Sequence, residues 1–99
     1  MPGIVRDGDK SVGHCFSPVA PIPGNLSKKT LINGKPICRV TNPYPTHCCG
    51  PSCHGNQNVE KDKGSKKLIV EGLLVVRSND PINCGDKTGA CSPNTINNY

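Results

Sequence analysis

Two stretches of sixteen residues decide how this chain folds: KKTLINGKPICRVTNP at residues 28–43 and KKLIVEGLLVVRSNDP at residues 66–81. They align without a gap, and a Lys-Lys pair, a glycine, an arginine and a proline coincide. Each copy has a short apolar strand, a two-residue Asn-Gly or Glu-Gly turn, and a second strand that ends in arginine. This pattern predicts a β-hairpin in each copy.

A third unit is predicted from the two ends of the chain. The second half of the repeat occurs again at residues 4–9, and residues 93–97 resemble its opening strand. The three units would then form a ring closed by joining the N- and C-terminal segments. We therefore expect an all-β domain with three pseudo-equivalent sides.

The chain has three arginines, and each unit contains one of them. An Asp or Asn follows each arginine three positions later: Asp9 after Arg6, Asn42 after Arg39 and Asp80 after Arg77. A guanidinium and a turn Asx side chain can together hold the end of a strand. We predict a structural role for these pairs, not a catalytic one.

The composition limits how such a small fold can be stabilised. The chain has 99 residues, of which 33% are hydrophobic and 3% aromatic, with 11 Gly, 10 Pro, seven Cys and three His. This is enough for one domain, residues 1–99, but burial alone holds a domain of this size only marginally. We therefore expect metal ligation or disulfides to add stability. We expect no membrane helix, no export signal and no effector extension.

The charge and the cysteines also restrict the class of protein. Twelve basic and seven acidic residues give a net charge of +5, but the few arginines and aromatics are dispersed. This distribution favours a solvated lysine-rich surface over a nucleic-acid interface. An odd number of cysteines cannot all pair, so reduced thiols and metal ligation are favoured. Cys48 or Cys49 could still pair with Cys53.

A metal site follows from counting onward from the arginines. His14 lies eight residues after Arg6, His47 eight after Arg39, and Cys84 seven after Arg77. Three related strand ends would therefore each deliver one ligand to a common axis. His54, in the long loop of the second unit, would be the fourth ligand. Three His and one Cys form a closed tetrahedral set suited to one structural Zn²⁺ ion.

The other cysteines compete for this role. Four of them lie within two residues of a predicted histidine ligand: Cys15, Cys48, Cys49 and Cys53. Cys49 and Cys53 have the spacing of a zinc knuckle, whereas Cys84 and Cys91 do not. Cys38 matches Val76 of the second copy and is therefore predicted to be a core residue.

These motifs together resemble the PAAR-repeat family, whose members form the tips of spikes in type VI secretion systems and contractile phage tails. The resemblance rests on Gly13-His14, on HCCGPSCHG at residues 47–55, on Asn83-Cys84-Gly85 and on the repeated arginine units, and it covers residues 2–97. The sequence departs from the family pattern in three places. The eponymous Pro-Ala-Ala-Arg is PICR at residues 36–39 and LVVR at residues 74–77, Gly-Asp is kept only at residues 8–9, and the tail lacks the closing strand and glycine.

The resemblance implies a small three-sided β-cone, or pyramid, with zinc near its apex. It assigns the same ligands, His14, His47, His54 and Cys84. The base of the cone would cap a trimeric β-helical spike, either a valine-glycine-repeat protein or a phage tail spike, using strand residues such as Leu31, Ile37, Leu73 and Val75.

The same resemblance implies a non-enzymatic protein that is a monomer on its own and binds no nucleic acid. It would meet a target-cell envelope only transiently. Its location would be a phage tail tip, or the bacterial cytoplasm before delivery by the secretion machine.

Three other classes predict different chemistry. A zinc-ribbon-like nucleic-acid-binding adaptor requires mainly cysteine ligands and salt-sensitive binding. A secreted disulfide-rich module requires paired cysteines and no metal. An enzyme could use a Cys-His pair from His14 and Cys15 or from Cys53 and His54, but adjacent residues seldom direct both side chains to one point.

Overall fold

The computed structural model describes residues 3–13, 18–49, 51–54 and 57–93, with the backbone alone at positions 47–49, 52 and 54. The strands within these ranges are short and form three antiparallel pairs. They are β1 Leu31–Ile32, β2 Lys35–Pro36, β3 His47–Cys49, β4 Ser52–His54, β5 Ile69–Val70 and β6 Leu73–Leu74. The described residues include one 3-10 turn, Pro23–Asn25, and contain no helix of the length and apolarity that a membrane crossing requires. The predicted all-β class is confirmed.

Both predicted repeat hairpins are present. β1 pairs with β2 and β5 pairs with β6, each around a two-residue turn. The first turn has φ of 55° at Asn33 and 77° at Gly34, and the second has 49° at Glu71 and 86° at Gly72. Two successive left-handed residues define a type I′ turn, whose twist matches that of the flanking strands.

Three isolated bridges join the units into a closed ring. They are antiparallel and connect Arg6 with Ile37, Arg39 with Val75, and Arg77 with Ile4. Each bridge joins the arginine of one unit to the residue two positions before the arginine of the next unit. Because the third bridge returns to the N-terminal segment from which the first bridge starts, the three sides close on themselves as predicted.

The backbone repeats this closure at the centre of the ring. The N–H of Cys38 donates to the carbonyl of Val5 at 2.9 Å, and that of Val76 donates to Cys38 at 3.0 Å. The N–H of Val5 completes the cycle by donating to Val76 at 3.0 Å. These three residues, each just before an arginine, therefore occupy equivalent positions around a pseudo-threefold axis.

The arginine–Asx pairs hold the strand ends as predicted. Arg6 donates through Nε and Nη2 to the two carboxylate oxygens of Asp9 at 2.9 and 3.0 Å, and Arg77 forms the equivalent ion pair with Asp80. The backbone N–H of Arg39 donates to Asn42 Oδ1 at 2.8 Å. These contacts terminate the strands, which supports a structural role for the arginines.

The turn residues of the hairpins also connect neighbouring units. Arg6 Nη1 and the Ser92 hydroxyl both donate to Asn33 Oδ1, at 3.0 and 2.7 Å. Arg39 Nη1 donates to the carbonyl of Glu71 at 3.0 Å. The Glu71 carboxylate accepts the backbone N–H groups of residues 28–30 at 2.8–2.9 Å. Each hairpin turn therefore contacts a different unit of the ring.

The core consists of two apolar clusters at equivalent repeat positions. Val5, Cys38 and Val76 are fully buried in the main core, together with Leu26, Val40, Tyr44, Val59 and Ile82. A second cluster comprises Ile4, Ile37 and Val75. Because successive strand residues face opposite sides, the ring is apolar on both sides of its backbone. The predicted core role of Cys38 is confirmed.

The four apolar residues expected at the base of the cone differ in how deeply they are buried. Ile37 and Val75 are 1% and 0% exposed, so they pack inside the closed ring and are not accessible to a partner. Leu73 is partly buried against the main core. Leu31 remains exposed. The strand pattern could not separate these residues because each strand is only two residues long.

The N-terminal segment forms the third side together with residues near the C-terminus. Ser78 N–H donates to Gly3 O, and Ser92 N–H donates to Ile4 O, both at 2.9 Å. A β-carbon at Gly3 would lie 2.5 Å from Cys91 Sγ and 2.6 Å from Ser92 O, so this approach requires glycine. The opening strand expected at residues 93–97 lies outside the described residues from position 94 onward.

Candidate metal centre

The strands β3 and β4 pair in an antiparallel hairpin, whereas the sequence suggested a long loop. The antiparallel register sets His47 opposite His54, Cys48 opposite Cys53, and Cys49 opposite Ser52. Directly opposite residues have β-carbons about 4.5–5.5 Å apart. The register therefore brings two predicted ligand positions together. The sequence signal for this hairpin is the Gly50-Pro51 dipeptide between mirrored His-Cys and Cys-His pairs.

The base of this hairpin is attached to the turn that carries Cys84. Tyr44 N–H donates to Gln57 O at 2.6 Å, which pairs the segments before β3 and after β4. Asn58 and Asn83 then bond reciprocally: Asn58 N–H donates to Asn83 Oδ1 at 3.1 Å, and Asn83 N–H donates to Asn58 O at 3.0 Å. The hairpin with two histidines and the turn with the cysteine are thus neighbours.

Cys84 lies in a tight turn. Gly85 N–H donates to Ile82 O at 3.0 Å, and Gly85 has a φ of +100°, a conformation that favours glycine. Ile82 N–H donates to Asp86 O at 2.9 Å. Cys84 is a free thiol, half-buried against the main core. A thiol held on a short, well-bonded turn can serve as a metal ligand.

The residue before His14 is bonded to this same turn region. Ser11 is bridged to Thr88, and Val12 N–H donates to Lys87 O at 2.9 Å. Gly13 N–H then donates to Asp86 Oδ1 at 2.8 Å. His14 itself lies outside the described residues. The fold therefore places the residue preceding one predicted ligand beside the turn that carries another.

The predicted ligand set remains a prediction. The described side chains include no group of three His, Cys, Asp or Glu residues that could hold a metal ion. Three of the four predicted ligands contribute no side chain to that search, because the imidazoles of His14, His47 and His54 are outside the described part. The backbone register and the Asn58–Asn83 contacts are the observations that bear on the site.

Asp86 is a buried carboxylate that sequence reasoning did not single out. It is 3% exposed, and Oδ1 accepts the N–H groups of Gly13 and Lys87 at 2.8 and 2.7 Å. Oδ2 is buried and has no hydrogen-bond partner among the described residues. A metal-bound histidine needs such an acceptor for its other ring N–H. The second oxygen and the predicted His₃Cys donors therefore fit a zinc ion.

Cys38 is a core residue, which argues against a role as a metal ligand. Its side chain is 0% exposed and packs among apolar residues, and this burial raises its pKa to about 12. Burial and the neighbouring Cys38 thiol also raise the pKa of Tyr44. Both side chains belong to the core beneath the candidate site.

The cysteines whose side chains the structure describes differ in oxidation state. Cys38, Cys84 and Cys91 are free, whereas Cys53 is disulfide-bonded, so the expectation of reduced thiols is wrong at Cys53. The alternative prediction of a disulfide that includes Cys53 is confirmed. The side chain of the cysteine bonded to Cys53 lies outside the described residues. A disulfide sulfur provides no thiolate ligand. Cys53 is therefore unavailable to a cysteine-rich zinc ribbon in this form of the protein.

Comparison with known families agrees with the repeat architecture. The family model described as the PAAR motif matches residues 4–90, which include all three arginine units and all four predicted ligands. No curated protein matches the sequence significantly.

Proposed function

The chain belongs to the PAAR-motif family, and we propose that it is the zinc-stabilised tip of the trimeric β-helical spike in a contractile injection machine. A PAAR motif implies a spike-tip role in contractile injection or type VI systems. The observation that carries the proposal is the closed ring of three bridges between equivalent residues.

The symmetry of the ring suits a trimeric partner. A trimer with threefold symmetry ends in three identical chain termini and strand edges. A single chain can cap all three only if it presents three near-equivalent sides. The equivalent bonds among Val5, Cys38 and Val76 provide those sides within one chain. Capping would also cover strand edges of the spike that otherwise invite unwanted pairing.

The apolar contacts to the spike come from the two repeat hairpins. Leu31 and Ile69 occupy the first position of β1 and β5, and they remain 53% and 61% exposed. Large apolar side chains exposed at matching positions suit a partner with repeated equivalent surfaces. Val12 is 58% exposed but lies next to Gly13 and the candidate metal centre. We place the spike contact at the β1–β2 and β5–β6 hairpins and the metal between the β3–β4 hairpin and the Cys84 turn.

This assignment is tested by binding measurements with matched variants. We expect the double variant Leu31→Asp/Ile69→Asp to bind the trimeric spike protein of the same machine at least about tenfold more weakly. Val12→Asp introduces the same charge at a similarly exposed residue and should leave the affinity within about twofold of that of the original protein. Equal weakening by both variants, or by neither, would contradict the assignment.

The metal proposal names His14, His47, His54 and Cys84 as ligands of one Zn²⁺ ion. The opposed register of β3 and β4 and the chemistry of the donor set support it. Zinc held by these four residues would supply a closed, redox-inert centre. Zinc-edge X-ray absorption should count three nitrogen neighbours and one sulfur neighbour. Three or four sulfur neighbours would contradict this ligand set and indicate a cysteine-rich site.

The function proposed for the tip is mechanical and not catalytic. A contracting sheath would drive the spike through a cell envelope, and the tip would have to stay folded under load. A closed metal site contributes free energy of folding directly, which a small apolar core cannot supply alone. The protein would act at a phage tail tip, or enter a bacterial secretion machine from the cytoplasm.

A further inference from the structure

Asp86 has an unusual combination of burial and incomplete bonding. Its side chain is 3% exposed, yet only one of its two oxygens is bonded to a described residue. A buried carboxylate oxygen without a partner loses its hydration and gains nothing in return. Such an atom in a folded protein requires an explanation.

The position of Asp86 restricts what that explanation is. The carboxylate lies two residues after Cys84 in sequence, on the same turn. Its Oδ1 binds the N–H of Gly13, the residue immediately before His14. The Asp86 side chain therefore contacts the segment that leads to His14. Its backbone is part of the turn that carries Cys84.

The bonded oxygen already accounts for a purely structural role. Two N–H donors, from Gly13 and Lys87, converge on Oδ1 at 2.8 and 2.7 Å. An asparagine could make both of these bonds through its own carbonyl oxygen. The negative charge and the second oxygen are not needed to hold the segments together. The Tyr44 hydroxyl, which is also buried without a partner among the described residues, is not bonded to Oδ2.

A zinc-bound histidine is a suitable hydrogen-bond donor for the unbonded Oδ2 of Asp86. A neutral histidine ligand binds zinc through one ring nitrogen and carries a proton on the other. That N–H is commonly bound by a carboxylate, which fixes the ring and increases its basicity. We propose that Asp86 is a positioning residue for the zinc site: Oδ1 fixes the backbone before His14, and Oδ2 accepts the ring N–H of His14. This inference rests on the proposed zinc site.

The first test compares zinc affinities of Asp86→Asn and the unmodified protein, by competition with a chromogenic zinc chelator. Asparagine keeps an acceptor for Gly13 and Lys87 but presents a donor where His14 needs an acceptor. We expect zinc to bind about 10–100-fold more weakly, while the metal-free protein unfolds at nearly the same urea concentration. An affinity within twofold would overturn the proposal and leave Asp86 a backbone clamp.

Asp9→Asn is the matched control. Asp9 is also a buried carboxylate, but both of its oxygens are bonded to Arg6. Its substitution should lower the urea midpoint of the metal-free and zinc-loaded proteins alike and change the zinc affinity little. A loss of zinc affinity as large as that of Asp86→Asn would show that any buried carboxylate has this effect, which would overturn the proposal.

A double variant tests whether Asp86 acts through His14. His14→Cys keeps a closed zinc set, now two His and two Cys, but removes the ring N–H. In that background Asp86→Asn should no longer weaken zinc binding. An undiminished loss would overturn the assignment of His14 as the donor. X-ray absorption adds a further check, because a direct oxygen ligand that disappears in Asp86→Asn would make Asp86 a ligand and not a positioning residue.

The outcomes distinguish this inference from the proposed function. If the unmodified protein binds zinc tightly and Asp86→Asn does too, only the role of Asp86 fails. If the unmodified protein binds no zinc, the metal site and the role of Asp86 fail together. Binding to the trimeric spike tests the tip function separately from both.

Discussion

The Glu71 carboxylate joins two repeat units although it is exposed to solvent. It accepts backbone N–H groups of Lys28, Lys29 and Thr30 at 2.8–2.9 Å. The bonds from Lys28 and Lys29 contribute most, and they lower the pKa of Glu71 from 4.5 to about 2. Because the pKa is lower in the folded state, the carboxylate stabilises the fold above its unfolded pKa. This stabilisation is lost as the pH falls towards the folded value.

We predict a pH-dependent effect of Glu71→Gln. Urea unfolding at neutral pH should show a lower midpoint than the unmodified protein, and the difference should shrink as the pH falls from about 5 to about 2. Glu60→Gln is the control, because Glu60 is an exposed glutamate on a loop. A difference between Glu71→Gln and the unmodified protein that persists at pH 2 would contradict this account.

Single residues also show where sequence reasoning reached its limit. Cys38 could be assigned to the core because the repeat aligns it with Val76. Asp86 could not be identified, because its partner Gly13 is 73 positions away in the sequence and lies in a different unit. Neither Asp86 nor Gly13 belongs to the aligned repeat, so no periodicity connects them. A Cys53 disulfide could be raised only as an alternative, because the sequence does not show which neighbouring thiol the fold presents to Cys53.

At the scale of elements, the left-handed backbone conformation of the turn residues determines where the repeat hairpins form. Gly34 has a φ of +77°, and a β-carbon added there would have no atom within 4 Å, so a substitution meets strain but no collision. Gly24 is equally open but has no left-handed φ. Substitutions at Gly34 and Gly24 therefore distinguish the effect of a left-handed backbone conformation from the effect of steric contact.

We predict that Gly34→Ala destabilises the protein by about 1–2 kcal/mol, the energy of placing an L-residue in a left-handed conformation. Gly24→Ala should change the stability by less than about 0.5 kcal/mol. Urea unfolding of both variants measures the difference. Equal effects would show that the β1–β2 turn does not limit the stability of the fold.

The same elements explain which strands the sequence predicts. Asn33-Gly34 and Glu71-Gly72 lie between apolar runs, so their hairpins are local and recognisable. The β3–β4 hairpin lacks apolar alternation because His and Cys occupy its strands. Its proposed role as a ligand-bearing arm would account for this unusual strand composition. Sequence reasoning found its two histidines but not the pairing that sets them opposite each other.

At the scale of the whole molecule, we propose that the stability is divided between the ring and a bound metal ion. Among the described residues, the apolar core contains eleven buried hydrophobic side chains, of which Tyr44 is the largest. A structural zinc site adds folding energy that exists only when the metal is bound. Removing zinc should therefore leave the closed ring with its core but without a fixed apex.

We predict that chelation lowers the melting temperature by about 10 °C or more, since 1 kcal/mol shifts a domain of this size by about 4–8 °C. Calorimetry without reductant keeps the Cys53 disulfide in place during the comparison. Adding Zn²⁺ back should restore the original value, whereas adding Mg²⁺ should not. An unchanged melting temperature after verified zinc removal would show that the metal does not stabilise the fold.

The pseudo-threefold ring is the central claim, and the stoichiometry of the spike complex tests it most directly. Native mass spectrometry of the chain mixed with the proposed partner, a trimeric β-helical spike protein, counts the subunits in the assembly. One chain for each spike trimer is the predicted result, because the three sides within one chain would occupy all three spike subunits. Three chains for each trimer would show that every spike subunit binds its own copy, and would contradict the account.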